Sequence, residues 1–502
     1  MLATTRTFSL LGVSAREVIV EVDVRRGLAN FTIVGLPDRA VRESRERVRA
    51  AIVNSGFEFP LQRITVNLAP ASLRKVGPSF DLAIAAGILI AAGQLPGTAL
   101  DGCALTGELA LDGGIRPVPG TLPMTEEAGR RGLEKIAVPA AVASEATTAI
   151  SLGLESPRVV PLDGLADLEL IGAEGEPRCR PREDSNGSEP EHELDLAELR
   201  GQPYLRRALE ISAAGGHGLL MIGPPGAGKS LAARRLPSIL PPLSPAESLE
   251  VLRVFSACIG QVNGHPRRPF RAPHHTISAA GLIGGGSPPR AGEITLAHRG
   301  VFFLDELGEF DRAALEGLRQ PLEDGRVSIS RVAGRIDLPC RFVLVAAANP
   351  CPCGRGERDG ECSCTPFAVC RYEAKLSGAL ADRIDIVLGV EQPFASAMAA
   401  ADGEGSDAVR ERVVAARARQ LERLEGRTNG EMTPAETRRH CETSEAAAGL
   451  LAAGHARYGL SGRGHDRVLR VARTIADLDD AERVEEAHLA EALSLRRRPE
   501  RP

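Results

Sequence analysis

The stretch that decides the fold is Gly223-Pro224-Pro225-Gly226-Ala227-Gly228-Lys229-Ser230. It matches the pattern G-x-x-x-x-G-K-[ST], in which backbone N–H groups of a glycine-rich loop converge on phosphate oxygens. An apolar strand is predicted before it at 218–222 and a helix after it from 231, so the helix dipole also points at the phosphates. We therefore predict an ATP site in which Lys229 reaches the β- and γ-phosphates and Ser230 binds Mg²⁺.

Two later apolar runs end in polar residues of the kind that such a site needs. Residues 301–304 run into Asp305 and Glu306, and residues 342–348 run into Asn349. Ligands of open α/β sheets lie at the carboxyl ends of the strands. We expect Asp305 to support the Mg²⁺ shell, Glu306 to orient or polarise the attacking water, and Asn349 to contact the γ-phosphate or the water. The alternative for Asn349 is a cap on the turn that follows.

Two arginines are candidates for stabilising the charge of the transferred phosphoryl group. Arg383 stands in the stretch 380–385, where the sheet is predicted to end, and Arg463 opens a helix in the last region. The chain contains 57 arginines and only four lysines, so each candidate is equally compatible with an ordinary surface arginine.

Composition and patterning predict a soluble protein of about three domains, given its 502 residues. Residues 1–171 show mixed α/β patterning, and residues 172–194 are polar and form a predicted flexible linker. Residues 195–392 alternate strands with helices, which indicates a parallel sheet, and residues 405–498 have helical periodicity.

Charge, aromatic content and apolar runs limit the partners that the chain can have. The net charge is −5 and tryptophan is absent, so any contact with DNA must come from a local basic patch rather than from stacked aromatics. The N-terminus lacks a secretory signal pattern, and the longest apolar run has 12 residues, too few to span a bilayer. We expect a cytoplasmic protein without a membrane partner.

The order of these motifs resembles that of the AAA+ ATPases. Four stretches narrow the resemblance to the YifB/ComM subfamily of magnesium-chelatase-like proteins, namely 271–278 (RAPHHTIS), 300–307 (GVFFLDEL), 318–325 (LRQPLEDG) and 377–385 (SGALADRID). One departure is Ala379, where the subfamily usually has proline. The resemblance covers nearly the whole chain, and it implies an α/β fold with a Lon-protease-like α+β domain, a central AAA+ P-loop domain and a C-terminal helical lid.

The resemblance also implies a function. Members of this subfamily are expected to be ATP-dependent homo-oligomeric rings, with hexamers the expected form, and ComM members are DNA helicases that drive branch migration in recombination and natural transformation. In this chain Arg383 would be the arginine finger and Arg463 the sensor-2 arginine. The alternatives are a magnesium-chelatase-type motor subunit and an ATP-dependent protease or remodelling regulator.

A protease activity is not expected from the Lon-like region. Ser79 stands where the resemblance would put the nucleophile, but the matching Lon lysine position falls in the stretch 119–123 (PGTLP), which has no lysine. A Ser–Lys dyad needs that lysine to activate the serine.

Two basic segments are candidates for DNA contact. No acid occurs in residues 251–292, which contain Arg267, Arg268 and Arg271, and a predicted hairpin carries Arg331 and Arg335. Tracking of phosphates needs arginine or lysine rather than base readout. The resemblance implies that both segments face the pore of a ring. The alternatives are a solvated basic loop and packing between subunits.

A cysteine-rich loop spans residues 351–370. Cys351, Cys353, Cys362 and Cys364 form two C-x-C pairs that could hold a structural Zn²⁺ tetrahedrally. The C-x-C spacing is shorter than the usual C-x₂₋₄-C, and the alternative is a loop of free thiols.

Overall fold

The chain forms two compact units, each described here by itself. The computed structural model describes residues 1–151, 157–171, 194–260, 266–286, 290–331, 334–356, 362–376, 380, 383–393 and 403–496. Ala379 and all but the last residue of the linker predicted at 172–194 lie outside these ranges. The first unit contains the described residues of three segments, Met1–Gly187, Ser244–Pro266 and Ser328–Leu338, and the second contains those of Ser188–Leu243, Arg267–Val327 and Pro339–Pro502.

A seven-stranded mixed sheet forms the centre of the first unit. Its strands lie in the order β3-β4-β2-β1-β5-β8-β9. The strands are β1 (Leu2–Leu11), β2 (Ser14–Arg25), β3 (Asn30–Val34), β4 (Arg63–Ala69), β5 (Cys103–Leu105), β8 (Lys135–Pro139) and β9 (Arg158–Leu162), and a small hairpin adds β6 (Glu108–Leu109) and β7 (Ile115–Arg116). The β1–β2 and β2–β4 pairs are antiparallel and the other pairs are parallel. The valines of β2 stand at every second position and are all buried, as expected for a strand with one face in the core.

Four helices from the first 151 residues cover this sheet: α1 (Arg39–Asn54), α2 (Asp81–Ala91), α3 (Thr121–Arg130) and α4 (Ala143–Ser151). Every residue of α2 is buried, because the helix is apolar on all sides apart from its first residue, Asp81. Arg47 and Ser44 of α1 donate hydrogen bonds to the Asp81 carboxylate. Burial nevertheless raises the pKa of Asp81 above its ordinary value.

A five-stranded parallel sheet forms the centre of the second unit, which confirms the predicted parallel α/β sheet. The strands are β10 (Leu219–Ile222), β11 (Phe270–Arg271), β14 (Val301–Leu304), β17 (Val343–Ala348) and β18 (Ile386–Gly389), in the order β11-β14-β17-β10-β18. All residues of β14 and β17 are buried, as expected for strands covered on both faces. A short β12–β13 ladder (Gly284–Gly285, Arg290–Ala291) lies outside this sheet.

The second unit also contains the helices α5 (Pro203–Gly215), α6 (Lys229–Ile239), α8 (Ala279–Ile283), α9 (Glu293–Leu296), α10 (Arg312–Gly317), α11 (Arg319–Asp324) and α12 (Pro366–Leu376). Of these, α5, α6 and α9 contact strands of the sheet. The C-terminal helices are α13 (Ser406–Arg423), α14 (Pro434–His440), α15 (Glu445–Tyr458), α16 (Gly462–Leu478) and α17 (Glu486–Ser494). Side chains of α5, α6, the sheet and these C-terminal helices belong to one hydrophobic core. No helix in the described part of the chain is both long and apolar enough to cross a membrane.

A buried polar network joins the sheet to the C-terminal helices. His217, just before β10, contacts Asp385 Oδ2 through Nδ1 at 2.9 Å and Thr474 Oγ1 through Nε2 at 2.8 Å. Asn429 Nδ2 donates to Thr474 Oγ1 at 3.0 Å and to Asp477 Oδ2 at 2.8 Å. Burial opposes the charge of Asp385, but the hydrogen bond and charge of His217 and the charges of two arginines outweigh it and lower the pKa of Asp385. All five side chains are buried.

Two segments that follow the P-loop in sequence belong to the first unit. One is α7 (Pro245–Ile259), which starts with a capping box of Ser244 and Glu247, and the other is most of the hairpin β15–β16 (Arg326–Arg331, Gly334–Pro339). In the α3–α7 contact, Arg253 donates to both carboxylate oxygens of Glu126 at 2.7 and 2.6 Å. Because Glu126 is almost completely buried, this doubly hydrogen-bonded ion pair is the main electrostatic interaction between the two helices.

We predict that Arg253→Ala lowers the free energy of unfolding by about 3 kcal/mol, because it leaves the Glu126 carboxylate buried without its partner. The double variant Glu126→Leu/Arg253→Leu should lose less than the single variant, since no charge is then stranded. Urea unfolding of the full chain followed by circular dichroism measures both. Arg130→Ala, which removes an exposed guanidinium 3.5 Å from Glu127 and leaves Glu127 paired with Arg131, is the control and should cost less than about 1 kcal/mol. A single variant as stable as that control would contradict the prediction.

Candidate nucleotide site

The glycine-rich loop lies between the end of β10 and the start of α6. Gly226 and Gly228 have φ values of +79° and +86°, a region that favours glycine. At Gly223 a Cβ would lie 2.1 Å from the carbonyl oxygen of Val390, so the approach of the chain after β18 also requires glycine there. These constraints hold the loop in a curve around the N-terminus of α6, where anions bind favourably.

Lys229 begins α6 and turns its ammonium back over the loop. Its Nζ donates to Gly223 O at 2.5 Å, to Pro224 O at 2.9 Å and to Asn349 Oδ1 at 3.4 Å. Burial lowers the pKa of Lys229, while the carboxylates of Asp305 and Glu306 act in the opposite direction. The contact between Lys229 and Asn349 joins two residues that are 120 positions apart, and both were predicted as site residues.

Ser230 and the end of β14 form the second contact of the site. Ser230 Oγ donates to Asp305 Oδ2 at 2.8 Å, and Asp305 Oδ1 accepts from the backbone N–H of Glu306 at 3.0 Å. A hydroxyl and a carboxylate at this distance are oxygen ligands of the kind Mg²⁺ uses in nucleotide sites. Glu306 has a φ of +52° and a half-exposed side chain, and its Oε2 lies 3.5 Å from His275 Nδ1. His275 lies within the acid-free segment 251–292, which the sequence made a candidate for DNA contact and not for this site.

Helix α12 supports both strand ends, which the sequence did not reveal. The phenol of Tyr372 forms a hydrogen bond with the backbone of Asn349, and burial raises the pKa of Tyr372 to about 12. Its ring packs on Gly308, where a Cβ would lie 2.2 Å from a ring carbon. Lys375 Nζ donates to Gly308 O at 2.9 Å. Asn349 and the turn after Glu306 are therefore held by one helix.

Two glutamines hold the P-loop from the other side. Gln392 Nε2 donates to Pro225 O at 2.8 Å, and Gln202 Nε2 donates to Ala227 O at 3.4 Å and to Glu391 O at 2.5 Å. Gln392 could have been found from sequence, because it follows the β18 strand as Asn349 follows β17. Gln202 also lines a cleft of about 390 Å³. Most of the other polar residues of this cleft are arginines, and the remaining two are Glu210 and Glu404.

The two candidate arginines lie apart from these contacts. Arg383 precedes β18 and donates through a terminal guanidinium nitrogen to Glu323 Oε1 at 2.5 Å. Arg463 is exposed at the second residue of α16, whose first turn is capped by Ser461 Oγ accepting from Gly464 N at 3.2 Å. Neither position decides whether the arginine acts on a phosphate, so both roles stay predictions.

Two of the arginines predicted to contact DNA make bonds inside the fold. Arg268 donates to Pro241 O at 2.5 Å and to Arg299 O at 2.7 Å, and Arg271 makes two bonds of 2.7 and 2.9 Å to Glu293. A guanidinium that is already bound to carbonyl or carboxylate oxygens has less capacity for phosphate. DNA contact by Arg268 and Arg271 stays a prediction.

The other candidates for DNA contact are more accessible. Arg267 is exposed, and so is Arg335, which lies 3.2 Å from Asp337 and 3.0 Å from Ser328 Oγ on the opposite strand of the β15–β16 hairpin. The backbone of Arg331 belongs to β15, but its side chain lies outside the described part of the chain. DNA contact by Arg267, Arg331 and Arg335 stays a prediction.

The four clustered cysteines come together after β17. The sulfur atoms of Cys351, Cys353, Cys362 and Cys364 all lie within 4.8 Å of one another. A hydrogen bond from the backbone N–H of Arg355 is the main reason why the pKa of Cys353 falls to about 6. Four thiols at this separation could bind a metal ion.

Comparison with known proteins identifies the family. Models described as "Magnesium chelatase, subunit ChlI", "Subunit ChlI of Mg-chelatase" and "Magnesium chelatase, subunit ChlI C-terminal" match residues 195–398, 20–142 and 403–496. The uncharacterised protein YifB of Salmonella typhimurium is 41% identical over 499 residues, which cover 99% of this chain and 97% of YifB. The competence protein ComM of Haemophilus influenzae is 40% identical over 502 residues, with the same coverage. The chain belongs to the YifB/ComM family of magnesium-chelatase-like proteins. The resemblance predicted from the sequence is thereby confirmed.

This YifB/ComM chain also has a local similarity to Lon protease 2 of Bacillus subtilis, 29% identical over 120 residues, or 22% of this chain. In the first unit Lys75 is buried and its Nζ donates to Pro70 O, while Lys135 Nζ donates to Ile171 O at 3.2 Å. Both ammonium groups thus bind backbone carbonyls. The expectation that Ser79 has no activating lysine, and that the unit has no protease activity, stays a prediction.

We predict that Lys229→Arg lowers ATP hydrolysis by about 100-fold or more, the usual cost of losing one positioned hydrogen-bond donor in such a site. The ammonium is a compact donor to three oxygens in a buried position, and a planar guanidinium cannot reproduce that geometry. Phosphate release by the purified protein measures the effect. Lys135→Arg, in the first unit, is the control and should retain activity. Turnover of Lys229→Arg at the rate of this control would refute the role of Lys229.

Proposed function

We propose that this chain is an ATP-hydrolysing AAA+ motor that acts on DNA as a homo-oligomeric ring. The observation that carries the proposal is the pair of contacts at the strand ends, Lys229 with Asn349 and Ser230 with Asp305. They join the first turn of α6, directly after the P-loop, to the ends of two strands of the parallel sheet, which is where nucleotides bind in such folds.

The residues have separate tasks in this proposal. The P-loop N–H groups and Lys229 bind the phosphates, and Ser230 and Asp305 supply the oxygen ligands for Mg²⁺, which neutralises charge on the phosphates. Glu306 orients the attacking water, and its half-exposed carboxylate beside His275 is accessible to that water. Asn349 exchanges its contact with Lys229 for one with the γ-phosphate or the water.

A ring would complete the site with arginine. The Arg383 side chain is 16% exposed, and its described hydrogen bond goes to Glu323, whose side chain is more than half exposed. Action on a neighbouring subunit would require the guanidinium to leave Glu323. Exposed Arg463 opens α16 in the helical region. By analogy with the family, Arg383 acts as an arginine finger on the ATP of a neighbouring subunit. Arg463 acts as the sensor-2 arginine on the ATP of its own subunit. Such a finger contributes about 10³–10⁵ in rate.

DNA is proposed as the substrate because the competence protein ComM matches almost the full length of the chain. Exposed Arg335 of the β15–β16 hairpin, in the first unit, and exposed Arg267, in the second unit, supply positive charge on a molecule of net negative charge. We propose branch migration during recombination or natural transformation as the process and the cytoplasm as the location. A magnesium-chelatase-type motor and a remodelling regulator would share the ATP site but would not respond to DNA.

We predict that single-stranded, duplex or branched DNA stimulates ATP hydrolysis, and that Arg331→Glu/Arg335→Glu weakens DNA binding while sparing basal hydrolysis. Removing two phosphate contacts should reduce the salt dependence of binding by a slope of about two. Fluorescence anisotropy at several salt concentrations and phosphate release measure these effects. Arg39→Glu, at a highly exposed position of the first unit, is the control. An ATPase that responds to no form of DNA would exclude the DNA motor in favour of the alternatives.

We also predict that two inactive variants restore activity when mixed. Lys229→Ala supplies an intact Arg383, and Arg383→Ala supplies an intact P-loop, so random assembly into a ring completes about a quarter of the sites. Hydrolysis by the mixture is compared with that by each variant alone. Glu323→Ala is the control for the internal contact of Arg383 and should stay active. If the mixture remains inactive while both variants still assemble, Arg383 does not act between subunits.

A further inference from the structure

We infer that Cys351, Cys353, Cys362 and Cys364 form a structural zinc site, and that the bound ion holds Asn349 in its place at the nucleotide site. The metal site stands on its own geometry. The effect on the nucleotide site rests on the proposed ATPase, and the experiments below separate the two.

The sulfur positions fit a tetrahedral ion. The sulfur of Cys351 lies 3.3 Å from that of Cys353 and 3.7 Å from that of Cys362, and the Cys353–Cys362 separation is also 3.7 Å. Cys364 completes the set, in which no two sulfurs are more than 4.8 Å apart. A zinc ion with bonds of about 2.3 Å to four sulfurs separates them by about 3.8 Å. Little movement is needed for all four to bind one ion.

The backbone of the loop supports negative charge on these sulfurs. Cys353 N donates to Cys364 Sγ and Gly356 N donates to Cys351 Sγ, both at 3.3 Å. Gly354 and Gly356 have φ values of +83° and +73°, which turn the chain so that these N–H groups point inward. Hydrogen bonds to ligand atoms orient the ligands of metal sites and adjust their charge. A loop of unrelated thiols would have no need for this arrangement.

The ligand set favours zinc over other metals. Four thiolates in a tetrahedron select zinc or iron, and hard cations such as Mg²⁺ prefer oxygen ligands. All four positions are filled by protein sulfur, which is typical of a structural zinc site rather than a catalytic one. ATP hydrolysis includes no electron transfer, so iron would serve no purpose in the proposed reaction.

The first link to the nucleotide site is the turn that starts at Cys351, two residues after Asn349. Gly354 N donates to Cys351 O at 3.0 Å and closes this turn. A Cβ on Gly354 would lie 3.1 Å from Pro225 Cγ and 3.8 Å from Asn349 Nδ2. The turn that carries two of the four ligands therefore lies close to both the P-loop and the Asn349 side chain, with room for little more than one methyl group between them.

The second link is α12, which begins two residues after Cys364. Its Tyr372 hydrogen bonds to the backbone of Asn349, and its Lys375 donates to Gly308 O, two residues after Glu306. A metal bound to cysteines at both ends of the segment 351–364 closes that segment and fixes where α12 starts. Closing such a loop lowers the entropy that ordering would otherwise cost. Loss of the metal should therefore loosen Asn349 and its support together.

Metal analysis of the full-length protein, purified without a metal-affinity step, tests the site itself. We expect about one zinc per chain in the wild type and below about 0.1 in Cys362→Ser and in Cys364→Ser. Cys370→Ser is the matched control, because Cys370 is an exposed cysteine of α12 outside the cluster, and it should keep its zinc. The zinc site would be refuted if the wild type contained no zinc, if it contained iron instead, or if the two variants kept a full equivalent of zinc.

Metal exchange on the wild-type protein tests the same site without a substitution, and it therefore remains informative if a serine variant does not fold. After removal of zinc by a chelator under reducing conditions, the chain should take up one Co²⁺ with the absorption of a tetrahedral thiolate complex, and zinc should displace it. Failure to bind Co²⁺ by a metal-free chain that keeps its circular dichroism spectrum would count against the site.

Nucleotide binding and hydrolysis by the same metal-free chain test the link to Asn349. We expect kcat to fall about 10-fold or more and to recover with one equivalent of zinc, the size of effect seen when the support of a site residue is lost. If zinc is present but its removal changes neither kcat nor affinity for a fluorescent ATP analogue, the link is refuted and the metal site stands. If the zinc-loaded protein never hydrolyses ATP, the proposed function fails, and the affinity comparison alone decides the link.

Discussion

The parallel pairing of β17 with β10 on one side and β14 on the other is the constraint on which the nucleotide site depends. Ile222 and Leu304 both pair at the end of β17, with Ala348 and Ala346. Parallel strands end at the same edge of a sheet, so the residues after them must meet there. Three stretches more than 40 residues apart in sequence thereby supply one cluster of polar side chains. No single local interaction in the site could position that cluster without this register.

The parts that were predictable from sequence are those with a local signature. The mixed α/β patterning of residues 1–171 appears as a sheet with helices such as α1 and α2, and the parallel sheet of the second unit was visible as apolar runs that end in Asp305 and Asn349. Each of these patterns reports burial along a single strand or helix. The P-loop is equally local, because its glycines and lysine are contiguous.

The supporting residues could not be predicted, because their roles exist only in three dimensions. Tyr372 and Lys375 read as ordinary residues of a mixed helix, yet they hold the backbone of Asn349 and Gly308. The intrachain bonds of Arg268 and Arg271 were equally hidden from the sequence. A run without acids indicates a basic surface, but it gives no sign of carbonyl and carboxylate partners such as Pro241 O, on the preceding segment, and Glu293, just past the run.

The sequence also could not show which hydrophobic core a helix belongs to. Helix α7 follows the P-loop helix in the chain, but Arg253 binds Glu126 and Leu252 packs against Leu122. Its amphipathic pattern shows that one face is buried and does not show against which partner. The pairing of a guanidinium with a nearly inaccessible carboxylate is specified by tertiary structure, as are the sulfur positions that bring two C-x-C pairs together.

The buried network from His217 to Asp477 has a consequence for how this chain can be divided. The family models end near residue 398 and resume at 403, which suggests a convenient place to cut. A fragment that stopped there would keep Asp385 and His217 but lose Thr474 and the arginines that offset the burial of that carboxylate. Desolvated charge without a partner is among the largest penalties in protein stability. The helical region is thus an integral part of the second unit, and fragments made for expression or crystallisation should retain both sides of that boundary.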